Sequence, residues 1–247
     1  MSRIVCQFSC GAASAVATKL AIAEYGTVLI VNAFVAEEHA DNRRFLADCE
    51  HWFGQAVTVV RDEKYGASVQ EVWRRRRFII GQGGASCRKA VKTAMLDAVL
   101  EPDDVMVLGY TIEEAGRLDD FIDANNSRRV LAPLIERGLT KADCLAIVER
   151  AGIELPLMYR LGYGNANCIG CCKGGEGYWN KIRIDFPPSF EAVAQIQDTL
   201  GPGSYFFRDR TTGERISLRA LDPEAGRHDA AAPECSFFCE LAEKEFA

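Results

Sequence analysis

Ile4-Val5-Cys6-Gln7-Phe8 runs straight into Ser9-Cys10-Gly11-Ala12-Ala13-Ser14, and Ala15-Val16-Ala17-Thr18-Lys19-Leu20 follows without a break. An apolar run, a loop of small residues and a helical run at this spacing read as a buried parallel strand that opens directly into a helix. Such a junction leaves the first backbone N–H groups of the helix without partners and aims them at one point, which suits an anion. Gly11, Ala12 and Ala13 let a phosphate approach the backbone, and Ser9 and Ser14 can add hydroxyl donors. The loop has neither the G-x-x-x-x-G-K-[ST] of a P-loop nor the G-x-G-x-x-G of a dinucleotide fold. By itself the segment serves equally well as a small-residue turn without a ligand.

Outward from this stretch the pattern repeats. Thr27 to Asn32 is a second buried strand, Asp41 to Trp52 a helix with Phe45, Leu46, Cys49 and Trp52 on one face, and Ala56 to Val60 a third strand. Asp104 to Gly109 is a fourth strand. Strands alternating with helices predict an α/β fold with a parallel sheet, three-layer and Rossmann-like. Its ligand is expected beyond the carboxyl ends of the strands, where the Ser9 loop sits. Thr140 with Asp143 three residues on caps a helix that ends at Gly152, and Cys144 falls on its apolar face as a core residue.

The chain has 247 residues, 48% hydrophobic and 26% charged, which suits one domain with a modest appendage. Arg3 is followed by only five largely apolar residues before Ser9, and no run approaches a membrane span. A cytoplasmic location and no membrane partner are therefore expected, and the ten cysteines are expected as thiols or metal ligands rather than disulfides. A net charge of −6 argues against a general nucleic-acid-binding surface but leaves room for a local basic patch. One such run, Arg74-Arg75-Arg76-Arg77, reads equally as a solvated helix face or as a grip on phosphate or sulfate. Gly81-Gln82-Gly83-Gly84 reads as a mobile loop.

The sharpest chemical signal is Asn167-Cys168-Ile169-Gly170-Cys171-Cys172-Lys173-Gly174-Gly175. A C-x-x-C in a glycine-rich turn presents two sulfurs to one ion and lets backbone N–H groups point at the thiolates. Cys87 opens a helix beside Arg88 and Lys89, where the dipole and the positive charge favour a thiolate. Cys235 and Cys239 form a further pair, which with Cys168 and Cys171 would make a four-thiolate zinc site. In Gly177-Tyr178-Trp179-Asn180-Lys181-Ile182-Arg183 the aromatic residues either cover the cysteine turn or stack a base. Residues 201–234 read as a lobe of short strands or a flexible tail, and His39, His51 and His228 have no metal-ligand spacing.

Phe8-Ser9-Cys10-Gly11-Ala12-Ala13-Ser14 resembles the pyrophosphate loop, S-G-G-x-D-S, of the adenine-nucleotide alpha hydrolase superfamily. That group includes sulfonucleotide reductases, acting on adenylyl sulfate (APS) or phosphoadenylyl sulfate (PAPS), and ATP-dependent enzymes that thiolate tRNA or DNA. Cys10 stands in place of a glycine, and Ala13 in place of the aspartate found in members that cleave ATP. Gly109, Glu114 and Arg117 match the family's G-x-R-x-x-E-S-x-x-R segment, whereas Thr111 and Ala115 do not. Cys87 to Lys92 is similar to the reductases' Cys-x-x-x-Leu-Lys pattern, and the gap from Cys87 to Cys168 is similar to that between the paired cysteines of the iron–sulfur members. Glu234-Cys235 resembles the start of their C-terminal E-C-G-[LI]-H motif, without its histidine.

The resemblance implies a PAPS/APS-reductase-like enzyme with a nucleotide-binding α/β domain over residues 1–185 and a cysteine-containing extension over 186–247. It implies an adenylyl nucleotide bound by Ser9, Cys10, Gly11, Ala12, Ser14, Gly109, Glu114 and Arg117. Cys87, Cys168 and Cys171 would hold a [4Fe-4S] cluster, with Cys172, Cys10 and Cys239 open as the fourth ligand and zinc as the alternative metal. Cys235 would be the nucleophile and a thiol donor such as thioredoxin the partner; a homo-oligomer is compatible. Two alternatives stand beside it: an ATP-dependent sulfurtransferase acting on tRNA or DNA, and a non-catalytic nucleotide-binding module with structural zinc.

Overall fold

The computed structural model describes residues 2–81, 84–209 and 211–226. Five strands, β1 (Ile4–Gln7), β2 (Leu29–Ala33), β3 (Val57–Val60), β4 (Val105–Val107) and β5 (Arg129–Leu131), pair in one sheet. All four pairings are parallel, in the spatial order β3-β2-β1-β4-β5. The chain thus leaves β1 toward one edge and returns to β4 on its other side. The strand order reverses beside β1, where an open α/β sheet leaves a crevice beyond its carboxyl ends.

Alternation along the strands divides the sheet into two apolar faces. Cys6, Ile30, Val57 and Val107 face a core shared with α1 (Ala12–Tyr25), α2 (Asn42–Phe53) and, through Cys144 and Val148, a helix at Lys141–Arg150. Val5 and Val31 pack on the other face against Leu96, and Met106 against Phe121 of the helix Ala115–Ala124. The result is a three-layer α/β/α arrangement. Thr140 caps its helix as the sequence predicts, accepting from the Asp143 N–H at 3.1 Å.

A second core contains no strand of the sheet. It joins α3 (Val69–Arg76) to the cysteine turn and to helices at Glu176–Asp185 and Pro187–Leu200, around Trp73, Ile79, Trp179, Ile182 and Val193. Trp179 is fully buried, so the aromatic residues after the cysteine turn cover it rather than stand free to stack a base. On either side of the expected loop, Ile80–Gly81 pairs antiparallel with Gly84–Ala85; Gln82 and Gly83 lie outside the described residues. Phe207–Arg208 and Arg215–Ile216 form the expected short strands of the C-terminal part. His228, Cys235 and Cys239 lie outside the described residues. Among those described, no helix is long and apolar enough to cross a membrane.

Candidate functional site

The Ser9 loop closes on itself. Ser14 Oγ donates to the Gly11 carbonyl at 2.9 Å and accepts from the Ser9 N–H at 3.2 Å, while Ala15 N–H already bonds Gly11 O at 3.0 Å. The hydroxyl of Ser14 is therefore a clamp on the loop, and the hydroxyl of the exposed Ser9 lies 3.2 Å from it. Helix α1 starts at Ala12, which leaves the N–H groups of Ala12, Ala13 and Ser14 without intrahelical acceptors. Cys10 takes φ +58°, a left-handed conformation where the related motif has glycine. Its thiol is buried against Asn32, whose Nδ2 lies 3.5 Å from Cys10 Sγ and donates to Phe8 O at 2.7 Å.

A cleft with a cavity volume of about 130 Å³, open to solvent on one side, begins at this loop. Ser9, Gly11, Ala13 and Ser14 line one side, and Gly109, Tyr110, Thr111 and Glu114 the other. Gly109 follows β4, and a Cβ placed on it would stand 2.9 Å from Ser14 Cα, so only glycine allows this approach. Glu114 Oε2 accepts from the Thr111 N–H at 3.3 Å and Oε1 pairs with Arg117, which stacks on Tyr110 with its guanidinium carbon 5.1 Å from the ring centre. Arg117 thus positions Glu114 and Tyr110 rather than lining the cleft itself. Cys10 and Ala12 are likewise buried and not among the lining residues.

The cleft holds polar groups that the motifs do not single out: Lys92, Glu38, Lys141, Tyr159, Asn165 and Asn167. Lys92 Nζ pairs with Glu38 Oε1 at 3.1 Å, both side chains about nine-tenths buried, and Asn42 Nδ2 donates to Glu38 Oε2 at 3.3 Å. Lys92 ends the Cys87-to-Lys92 pattern, the one sequence signal that reaches it. Tyr159 sits over the loop, since a Cβ on Gly11 would meet its hydroxyl at 3.2 Å. Nothing in the sequence spacing links Tyr159, Lys141 or Glu38 to residue 9; the fold does that.

The four expected cysteine ligands share one core with Trp73 and Trp179. The Cys172 thiol is in hydrogen-bonding contact with both Cys171 and Cys87. It brings the Cys171 thiol down to about 7, with further help from Lys173 and Lys92 and against the cost of burial. Cys87 is lowered first by Cys172, then opposed by burial and helped by Lys92. Cys87 does open a helix, continuous over residues 86–97 with a π-helical turn at Lys89–Thr93, but the charge that favours its thiolate comes from Lys92 rather than from Arg88 and Lys89. One backbone N–H, that of Lys173, is aimed at the Cys171 sulfur as expected, whereas those inside the C-x-x-C turn are placed otherwise. Gly170 and Cys171 N–H both donate to Tyr178 Oη, at 2.9 and 3.1 Å, and that hydroxyl donates to Cys168 O at 3.1 Å. Tyr178 gets under the turn because Gly174 has no side chain: a Cβ there would lie 1.9 Å from the ring. Among the described residues no three His, Cys, Asp or Glu side chains already converge as a metal site. Cys87 and Cys171 each meet Cys172.

Cleft and thiols are contiguous. Asn167, on the cleft wall, precedes Cys168 directly, and Lys92 lines the cleft while its charge acts on Cys87 and Cys171. Arg74 to Arg77 are elsewhere: Arg75 Nε bonds Glu71 at 2.5 Å and Arg76 Nε bonds Tyr65 Oη at 3.2 Å, so no arginine of this run lines the cleft.

No protein-family model matches the sequence, and no curated protein is significantly similar to it. The fold is similar to the crystal structure of phosphoadenylyl-sulfate (PAPS) reductase from Candida auris, a phosphate complex, with a TM-score of 0.51 and 9% identity. That likeness covers 68% of this chain and 82% of the other. The chain therefore has a PAPS-reductase-like fold.

Proposed function

We propose that this protein is a sulfonucleotide-reductase-like enzyme that binds an adenylyl nucleotide in the cleft at the Ser9 loop and performs thiol-dependent sulfur chemistry on it. The observation that carries the reading is the contiguity of an anion-binding loop with a set of thiols, joined by Lys92. The free N–H groups at the start of α1 and the Ser9 hydroxyl bind a phosphate, Lys92 and Lys141 supply positive charge, and Tyr110 and Tyr159 enclose the ligand. The structural neighbour was solved as a phosphate complex, which supports an oxyanion ligand for a chain of this fold.

Four thiols on one core, Cys168 and Cys172 buried and Cys87 and Cys171 half-buried, are a donor set that suits a soft metal centre. Cys87, Cys168, Cys171 and Cys172 are the residues that would hold a [4Fe-4S] cluster, or zinc in its place. Bound there, the group would supply positive charge beside the nucleotide. In the proposed reaction a Cys235 thiolate attacks the sulfonyl sulfur, forming an S–S bond while the S–O bond breaks and the nucleotide phosphate leaves with the electron pair. A dithiol donor of the thioredoxin type then reduces the resulting thiosulfonate, releasing sulfite and becoming a disulfide.

Sulfur transfer to tRNA or DNA is the second reading, favoured by one feature: an arginine-rich face adjoins the thiols where Arg76 Nη1 bonds Ser86 O at 3.3 Å. Ala13, in place of the aspartate of ATP-cleaving members, stands against it.

Calorimetric titration of the anaerobically purified chain with adenylyl sulfate, together with iron, sulfide and zinc content, tests the proposal. Saturable binding with iron and sulfide in equal amounts is expected. Absence of nucleotide binding refutes the proposal; binding with one zinc and no turnover selects the non-catalytic module.

A further inference from the structure

Arg43 and Arg61 sandwich Phe34, their guanidinium carbons 3.9 and 4.1 Å from the centre of its ring. Two guanidiniums at those heights on one face would overlap, so they take opposite faces. The three residues sit just past the carboxyl ends of β2 and β3 and in the first turn of α2. Neither arginine has a carboxylate partner among the described residues. The guanidinium of Arg43 is held below its ordinary value by burial and then by the charge of Arg61. Glu38, which opposes that, is already committed to Lys92 and Asn42.

The same surface continues along the chain. Lys64, Arg76 and Arg75 gather over Tyr65, at 5.3, 5.5 and 5.9 Å from its ring centre. The acids of this stretch are largely occupied: Asp62 is buried and accepts from the Tyr65 N–H at 2.6 Å, and Glu71 pairs with Arg75. Glu63 remains as an exposed acid among them.

We propose that this face binds a single-stranded nucleic acid, with Arg43 and Arg61 on successive phosphates. Stacking on Phe34 orders both guanidiniums while leaving their N–H edges outward, so the rotamer entropy of binding is lost in advance. The ring between them spreads those edges too far apart for the oxygens of one phosphate, which favours a chain of phosphates over a single oxyanion. Phe34 and Arg43 also line a cavity of about 200 Å³ with Asn32 and Asn42, room for an unstacked base that a duplex does not offer. With a net charge of −6 the whole-molecule field repels a polyanion, so binding rests on this face. The inference does not depend on the chemistry of the cleft.

Fluorescence anisotropy with a labelled single-stranded oligonucleotide, over a range of salt concentrations, tests it on the full chain. The expected result is salt-dependent binding that Arg43→Gln with Arg61→Gln weakens at least about tenfold, while the salt slope falls by about 0.7 per arginine lost. The lysine pair Arg43→Lys, Arg61→Lys retains part of that slope, which a purely structural role would not predict. Ser14→Ala, which disables the cleft, leaves oligonucleotide affinity unchanged, so the two proposals fail separately. Binding of a duplex or an acidic peptide as tightly as the single strand overturns the proposal. So does a glutamine pair that folds, by circular dichroism, and binds like the wild type.

Discussion

Gly109 and Ser14 touch backbone to backbone: a Cβ on Gly109 would lie 2.9 Å from Ser14 Cα and 3.0 Å from Ser14 N. This contact locks the end of β4 against the start of α1 at the point where the strand order reverses. It sets the width of the cleft. Gly109→Ala is expected to push the α1 N-terminus outward, cost about 1–3 kcal/mol as an overpacked contact, and weaken nucleotide binding. Denaturant unfolding and calorimetry measure the two effects; an alanine variant with wild-type stability and affinity contradicts the assignment.

Ser14→Ala removes the clamp on the loop. The Gly11 carbonyl loses a donor and the Ser9 N–H loses its acceptor, each hydrogen bond worth about 1 kcal/mol. Nucleotide affinity should fall about tenfold, and the melting temperature by roughly 3–8 °C, because Ser14 is buried and both bonds are lost together. Ser14→Thr retains the hydroxyl and should recover most of the affinity.

Lys92→Gln leaves Glu38 about nine-tenths buried beside an uncharged partner. Breaking a buried pair from one side costs about 3 kcal/mol, and the double variant with Glu38→Gln should recover much of that stability. Nucleotide affinity should not recover, since the positive charge on the cleft wall is still missing. Recovery of both properties in the double variant would make Lys92 a structural residue only.

The fold was largely legible because its signals are local. The apolar runs at Val5 and Ile30 and the Thr140–Asp143 cap all appear where period and capping chemistry predict them. The site was legible only where it follows a strand end, as at Ser9 and Gly109. Glu38, Tyr159 and Lys141 reach the cleft from distant parts of the chain, a matter of tertiary packing that no spacing encodes. Cys172 was the least legible: as one thiol in a run of three cysteines it reads as a spare ligand, yet it is the one that contacts both Cys87 and Cys171.

Arg3 grips Asp104 through Nε at 2.9 Å and Nη2 at 2.7 Å, tying the start of β1 to the start of β4. That pairing holds the Asp104 carboxyl below its ordinary value of 3.8. A depressed carboxylate contributes stability that is full above the ordinary value and is lost as pH falls through the lower, folded-state value. Asp104→Asn should therefore lower stability at neutral pH and flatten its acid dependence. An acid unfolding curve of the variant that parallels the wild type would contradict this.

The central claim is that the nucleotide cleft and the adjoining thiols act together on sulfur. The most direct measurement is sulfite release from adenylyl sulfate and from phosphoadenylyl sulfate by the anaerobically purified full chain with a reduced dithiol donor. The account predicts sulfite in step with the freed adenosine phosphate, lost in Cys235→Ser and strongly reduced in Lys92→Gln. Tight nucleotide binding without sulfite, or turnover unchanged in Cys235→Ser, would contradict it.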